Sequence, residues 1–124
     1  MQEGKHVILC IDDDPDILDA LKVILEHAGY VHVGALTAEE GVQRYKEHAP
    51  DLVLVDLMIE EVDSGANFVK ELKLLGGQVP IYLLSSVGDA LNVSTSYTEL
   101  GFMGILQKPI QAKTLLALLQ QKLK

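Results

Sequence analysis

Short apolar runs alternate with stretches of helical spacing five times along this chain. The runs predict strands over about 5–11, 31–35, 52–56, 80–84 and 103–107. The second is weakened by Gly34. The third, Leu52-Val53-Leu54-Val55, is apolar until Asp56, as a strand buried on both faces reads. Between strands 1 and 2, Asp14 predicts an N-cap, with Pro15 at the first helical position and Asp16 in the first turn. Ile17, Leu18, Leu21, Ile24, Leu25 and Ala28 follow on one helical face, and Gly29 ends it. Thr37 and Glu40 form a capping-box pattern that opens a helix to about His48, and Pro50 closes the link. Further helices are predicted over 65–75 and 111–123. A fourth, over 89–98, is rich in Ser, Thr and Asn and is the weak element.

Strands alternating with helices predict an α/β fold with right-handed crossovers. Five strands suit a doubly wound parallel sheet of order 2-1-3-4-5, whose switch point lies between strands 1 and 3. Asp12, Asp13 and Asp56 then face one another at the C-terminal edge of the sheet, where ligands bind. Ser85-Ser86 ends the fourth strand and Lys108-Pro109 ends the fifth. Carboxylates, a hydroxyl and an ammonium gathered on one edge suit a divalent cation together with a phosphoryl group.

The 124 residues fit one domain, 1–124, with no second domain expected after the last helix. A net charge of −8, from 18 acids against 10 bases, argues against nonspecific nucleic-acid binding. Cys10 lies in an apolar strand and has no partner for an internal disulfide. No signal peptide is recognisable, and no apolar run approaches the ~20 residues of a membrane span. A reducing cytoplasm is the expected setting. His6, His27, His32 and His48 lack metal-ligand spacing and read as surface or packing residues.

Each polar group has a plain structural alternative when taken alone. Asp12-Asp13-Asp14 also suits a solvated turn with a helix cap, and for Asp14 the cap is the better reading. Asp56 suits a loop acid, Lys108 a surface charge and Ser85 a strand-end hydroxyl. Together, at the ends of strands 1, 3, 4 and 5, the motifs resemble the receiver domain of two-component response regulators, a flavodoxin-like fold, over essentially the whole chain. The resemblance implies a signalling switch rather than an enzyme. Asp56 would take a phosphoryl group from a sensor histidine kinase or histidine phosphotransfer protein. It also implies Mg²⁺ held by Asp13 directly, Asp12 through water, Asp56 and the backbone carbonyl of Met58. Lys108 would pair with Asp56 and then with the phosphoryl group, and Ser85 would hydrogen-bond that group. An unknown downstream protein reads the state, without nucleic acid or membrane, from a monomer or weak dimer.

The chain departs from the family pattern at two places. Glu60 stands where receivers often have a proline, and Ser64 where a glycine is usual, with Gly65 one place later. Ile105 stands three residues before Lys108, where many receivers have a Tyr or Phe whose rotamer follows the hydroxyl. In the family the positions of Met58 and Val87 flank the phosphoryl group, so the resemblance, with both apolar here, implies slow self-dephosphorylation. One alternative is a degenerate receiver acting as a phosphorylation-independent docking module. An aspartyl-phosphate phosphatase is a poor fit, because Met58 occupies the position of its second acid.

Overall fold

Buried apolar strands are what hold this molecule together, and their order decides which side chains meet. The computed structural model describes residues 4–56, 79–85 and 103–123. Its elements are β1 (Val7–Ile11), α1 (Pro15–His27), β2 (Val31–Ala35), α2 (Ala38–His48), β3 (Leu52–Asp56), β4 (Ile81–Ser85), β5 (Gly104–Gln107) and α3 (Ala112–Lys122). The strands form one five-stranded sheet in the order β2-β1-β3-β4-β5. Every pairing is parallel. The expected doubly wound order is therefore present. The helices expected over 65–75 and 89–98 lie outside the described residues, as do Met58, Glu60, Ser64, Gly65, Ser86 and Val87.

β1, β3 and β4 are buried at every position, which explains their unbroken apolar sequences. Alternate residues feed two cores. Leu9, Ile11, Val53, Val55 and Leu83 pack with Ala38, Val42 and Tyr45 of α2. Ile8, Cys10, Leu52, Leu54, Tyr82 and Leu84 pack with Leu18, Leu21 and Leu25 of α1 and with Leu115 and Leu119 of α3. Burial pushes the Cys10 thiol pKa up, and the Asp12 charge adds to this. The thiol stays protonated and serves as packing.

The helix ends follow their local chemistry. Asp14 caps α1 by accepting from the Asp16 N–H, and Pro15 opens the first turn. Gly29, at φ +91°, turns the chain beyond α1. Thr37 Oγ1 accepts from the Glu40 N–H at 3.0 Å. Glu40 reaches back to the Leu36 N–H at 3.4 Å, one residue earlier than a standard capping box.

Boundaries differ from expectation by one or two residues. β1 begins at Val7 rather than 5, because Lys5 is exposed and forms only an isolated bridge. β4 runs Ile81–Ser85 rather than 80–84, so Ser85 is the last residue of the strand and not a loop residue. Pro80 lacks the N–H that would extend the ladder at the other end. β5 begins at Gly104 rather than 103, leaving Met103 exposed. α3 is Ala112–Lys122, flanked by Gln111 and Leu123.

Candidate functional site

The parallel register brings four strand ends to one edge. Asp12 directly follows β1, and its N–H donates to the Ala35 carbonyl at 3.0 Å. Asp56 ends β3 and pairs with Leu84 of β4. Ser85 ends β4 and pairs with Gln107 of β5. The Lys108 N–H then donates to the Ser85 carbonyl at 2.7 Å, which anchors the lysine backbone to the neighbouring strand. The Lys108–Pro109 peptide is cis.

Asp12 and Ser85 are fully buried and Asp56 is 6% exposed, whereas Asp13 is exposed. Buried carboxylates need compensation, because desolvation of an unpaired charge costs several kcal/mol. Lys108 supplies it. Its Nζ lies 2.7 Å from Asp12 Oδ2 and 3.4 Å from Asp56 Oδ2. Sequence reasoning assigned Lys108 to Asp56, but the shorter contact is to Asp12. Both carboxylates are buried, Asp12 at 0% and Asp56 at 6% exposure, so both gain from the ammonium. The short contact is an ion pair by distance, without the direction of a hydrogen bond at Oδ2. Burial alone would lower the Lys108 pKa. The contacts and charges of Asp12 and Asp56 outweigh it, so the ammonium is held above its ordinary value.

The second oxygen of Asp12 is also committed. Its Oδ1 accepts from the Asp14 N–H at 3.0 Å. Asp12 is therefore gripped at both oxygens, and the exposed Asp13 carboxylate is the more accessible of the pair. Ligand oxygens of Asp12, Asp13 and Asp56 all lie within 4.8 Å of one another. Among the described residues, Lys108 faces Asp12 and Asp56, with Asp13 in the same cluster, which gathers hard oxygen donors at one place. That donor set fits Mg²⁺, which favours carboxylate oxygens. Met58, expected to contribute a carbonyl, lies outside the described residues.

The structure thus brings together Asp12, Asp13, Asp56, Ser85 and Lys108. Sequence reasoning missed the Asp12–Lys108 ion pair and the Asp14 N–H bond to Asp12. The second had a signal, since Asp12-x-Asp14 has the spacing at which an Asp side chain bonds the backbone two residues on. The first had none, because it depends on burial at the sheet edge. The four histidines do not approach this edge in any described contact. His32 packs beside Gly34 on β2, and His6 lies against Tyr30, with ring centroids 6.5 Å apart.

The family model of the response regulator receiver domain matches residues 8–120. The chain is 33% identical over 119 residues to the chemotaxis protein CheY of Bacillus subtilis, covering 95% of this chain and 98% of that protein. It is 30% identical to the DNA-binding response regulator MtrA of Mycolicibacterium smegmatis, covering all of this chain but 53% of that protein. The chain spans about half the length of the transcriptional regulators it resembles. Among solved structures, the chemotaxis response regulator CheY4 of Vibrio cholerae superposes with a TM-score of 0.84 at 25% identity, covering 97% of this chain and 100% of that one. A receiver domain protein from Clostridium thermocellum gives 0.82 at 28% identity, covering 94% and 93%.

Proposed function

The chain belongs to the response regulator receiver domain family, the signalling switches of two-component systems, and from that premise we propose that Asp56 is its phosphoryl acceptor. The supporting observation is that Asp56, at the end of a fully buried strand, lies in one cluster with two further carboxylates and beside the Lys108 ammonium. An oxygen of Asp56 attacks the phosphorus of a phosphohistidine on a kinase or phosphotransfer protein. The phosphorus–nitrogen bond breaks, and its electron pair leaves with the imidazole.

A bound Mg²⁺ supplies charge neutralisation between the carboxylate nucleophile and the anionic phosphoryl group. Asp13, Asp56 and, through water, Asp12 would hold it, with the Met58 carbonyl completing the set. Lys108 carries its charge beside Asp56 and is positioned to pair with the phosphoryl oxygens as a point charge. Ser85, fully buried at the end of β4, is the hydroxyl that registers the group. A downstream protein reads the altered edge. Self-dephosphorylation is slow on this reading, since at the two family positions that flank the phosphoryl group the sequence has apolar Met58 and Val87. The residues needed for phosphorylation are all present, so a docking module independent of phosphorylation is not favoured.

Acetyl phosphate with Mg²⁺ tests the assignment by intact mass. The wild type should gain one phosphoryl group and Asp56→Asn none. Phosphate mapped to a different residue removes Asp56 from the role.

A further inference from the structure

Asp14 is the one acid of the strand-1 cluster that the proposed chemistry leaves unused. Its side chain and backbone take part in two consecutive turns of the same kind. Asp12 Oδ1 accepts from the Asp14 N–H at 3.0 Å. Asp14 Oδ1 in turn accepts from the Asp16 N–H at 2.9 Å. Asp14 holds an extended backbone, φ −96° and ψ 109°, while its carbonyl accepts from Ile17 and Leu18 at the start of α1. An Asp or Asn at such a place fixes the local backbone because its oxygen ties down a free N–H of the helix.

Fixing the Asp14 backbone also fixes the direction of its N–H. That N–H points at Asp12, whose other oxygen faces Lys108 Nζ at 2.7 Å. We infer that Asp14 is a positioning residue for the metal and phosphoryl site. By capping α1 it holds the Asp12 carboxylate in the rotation that presents Oδ2 to Lys108 and keeps the carboxylate within the acid cluster. The chain of contacts runs from the first turn of α1 through Asp14 and Asp12 to Lys108. Asp14 is exposed and touches neither the lysine nor Asp56 in any described contact, so it acts through Asp12. The inference rests on the proposed metal site.

Three variants separate positioning from charge and from plain stability. Asn keeps the capping oxygen and loses the charge, Ala loses both, and Thr37→Ala removes the cap of α2 away from the site. Mn²⁺ binding by calorimetry and amide exchange at residue 14 in metal-free protein are the two readouts. Asp14→Ala should weaken Mn²⁺ by about tenfold, as loss of a contact behind a ligand does. Its residue-14 amide should exchange as fast as in Asp12→Ala. Asp14→Asn should stay within about twofold of wild type and keep a slow amide, since Asn caps as well as Asp. Thr37→Ala should lose stability with Mn²⁺ affinity unchanged. The inference is overturned if Asp14→Ala binds and protects like wild type, or if Asn and Ala fall equally. Wild type that binds no Mn²⁺ refutes the metal site itself, while the exchange arm still decides whether Asp14 orients Asp12.

Discussion

Lys108 sits nearer to Asp12, at 2.7 Å, than to the proposed acceptor Asp56, at 3.4 Å. The lysine is therefore shared, with its shorter contact on an acid of the proposed metal site. On the proposed reading a cation would compete with Lys108 for Asp12 and Asp56, and the ammonium would offset their charge when no cation is bound.

Lys108→Ala should accordingly be less stable without metal, because the buried carboxylates Asp12 and Asp56 lose its charge. Breaking a buried pair from one side costs about 3 kcal/mol. Millimolar Mg²⁺ should restore much of that loss, and its affinity should equal or exceed wild type. Phosphorylation by acetyl phosphate should fall sharply. Urea unfolding with and without Mg²⁺ checks this, and equal stability of variant and wild type in EDTA would show that Lys108 does not stabilise the acids.

Gly104 carries a packing demand. A Cβ there would lie 2.8 Å from Cε2 of Tyr82, its partner across β4 and β5. The Tyr82 ring, 4% exposed, occupies the space over the edge strand. Gly104→Ala should destabilise by about 1–3 kcal/mol through overpacking. Trimming the ring in Gly104→Ala/Tyr82→Leu should cost less than the sum of the two single changes. Strict additivity in thermal or urea unfolding would mean that the ring is not what Gly104 accommodates.

His32 gives a pH dependence with a definite sign. Its Nε2 is buried without a hydrogen-bond partner, and burial holds its pKa below the ordinary value. Glu26 and Asp19 of α1 pull it up, and Lys22 pushes it down. β1 and β2 carry no acidic or basic side chain other than His32 itself. The folded state therefore binds this proton less readily than the unfolded chain. The stabilisation is present above about pH 6.5, the unfolded value, and is lost as pH falls toward the folded value. His32→Gln should flatten the fall in stability between about pH 7 and 5 relative to wild type. Parallel curves for the two proteins would remove His32 from the acid response.

The sheet was legible because apolar runs and helix caps agree locally with the fold. The five strands, their order and the caps Asp14 and Thr37 followed from residues alone. The site was legible as a set of residues, since each lies at or directly beyond a strand end. Its internal pairing was not, because the contact of Lys108 with Asp12 joins side chains beyond the ends of two different strands. The Tyr82–Gly104 contact was hidden for the same reason, since it joins residues 22 positions apart in sequence.

The last prediction concerns how the signal leaves the site. Ile105 replaces the usual aromatic and is partly buried against the Leu83 core, where a stiff β-branched chain has no ring to swing. A backbone route is available instead. The Ser85 carbonyl accepts the Lys108 N–H at 2.7 Å, so a displacement of Ser85 strains or breaks that bond. On the proposed reading, a phosphoryl group on Asp56 would draw both the Ser85 hydroxyl and the Lys108 ammonium. The two residues would then move as a linked pair, and α3, which begins four residues after Lys108, is the described helix nearest to them in the chain. Only a few kcal/mol of bias suffices to repopulate a two-state element. Beryllofluoride with Mg²⁺ should therefore change amide exchange at Lys108 and in the first turn of α3, and Ser85→Ala should abolish both changes. If the Lys108 amide exchanges identically with and without beryllofluoride in wild type, the strand-end link plays no part in the output.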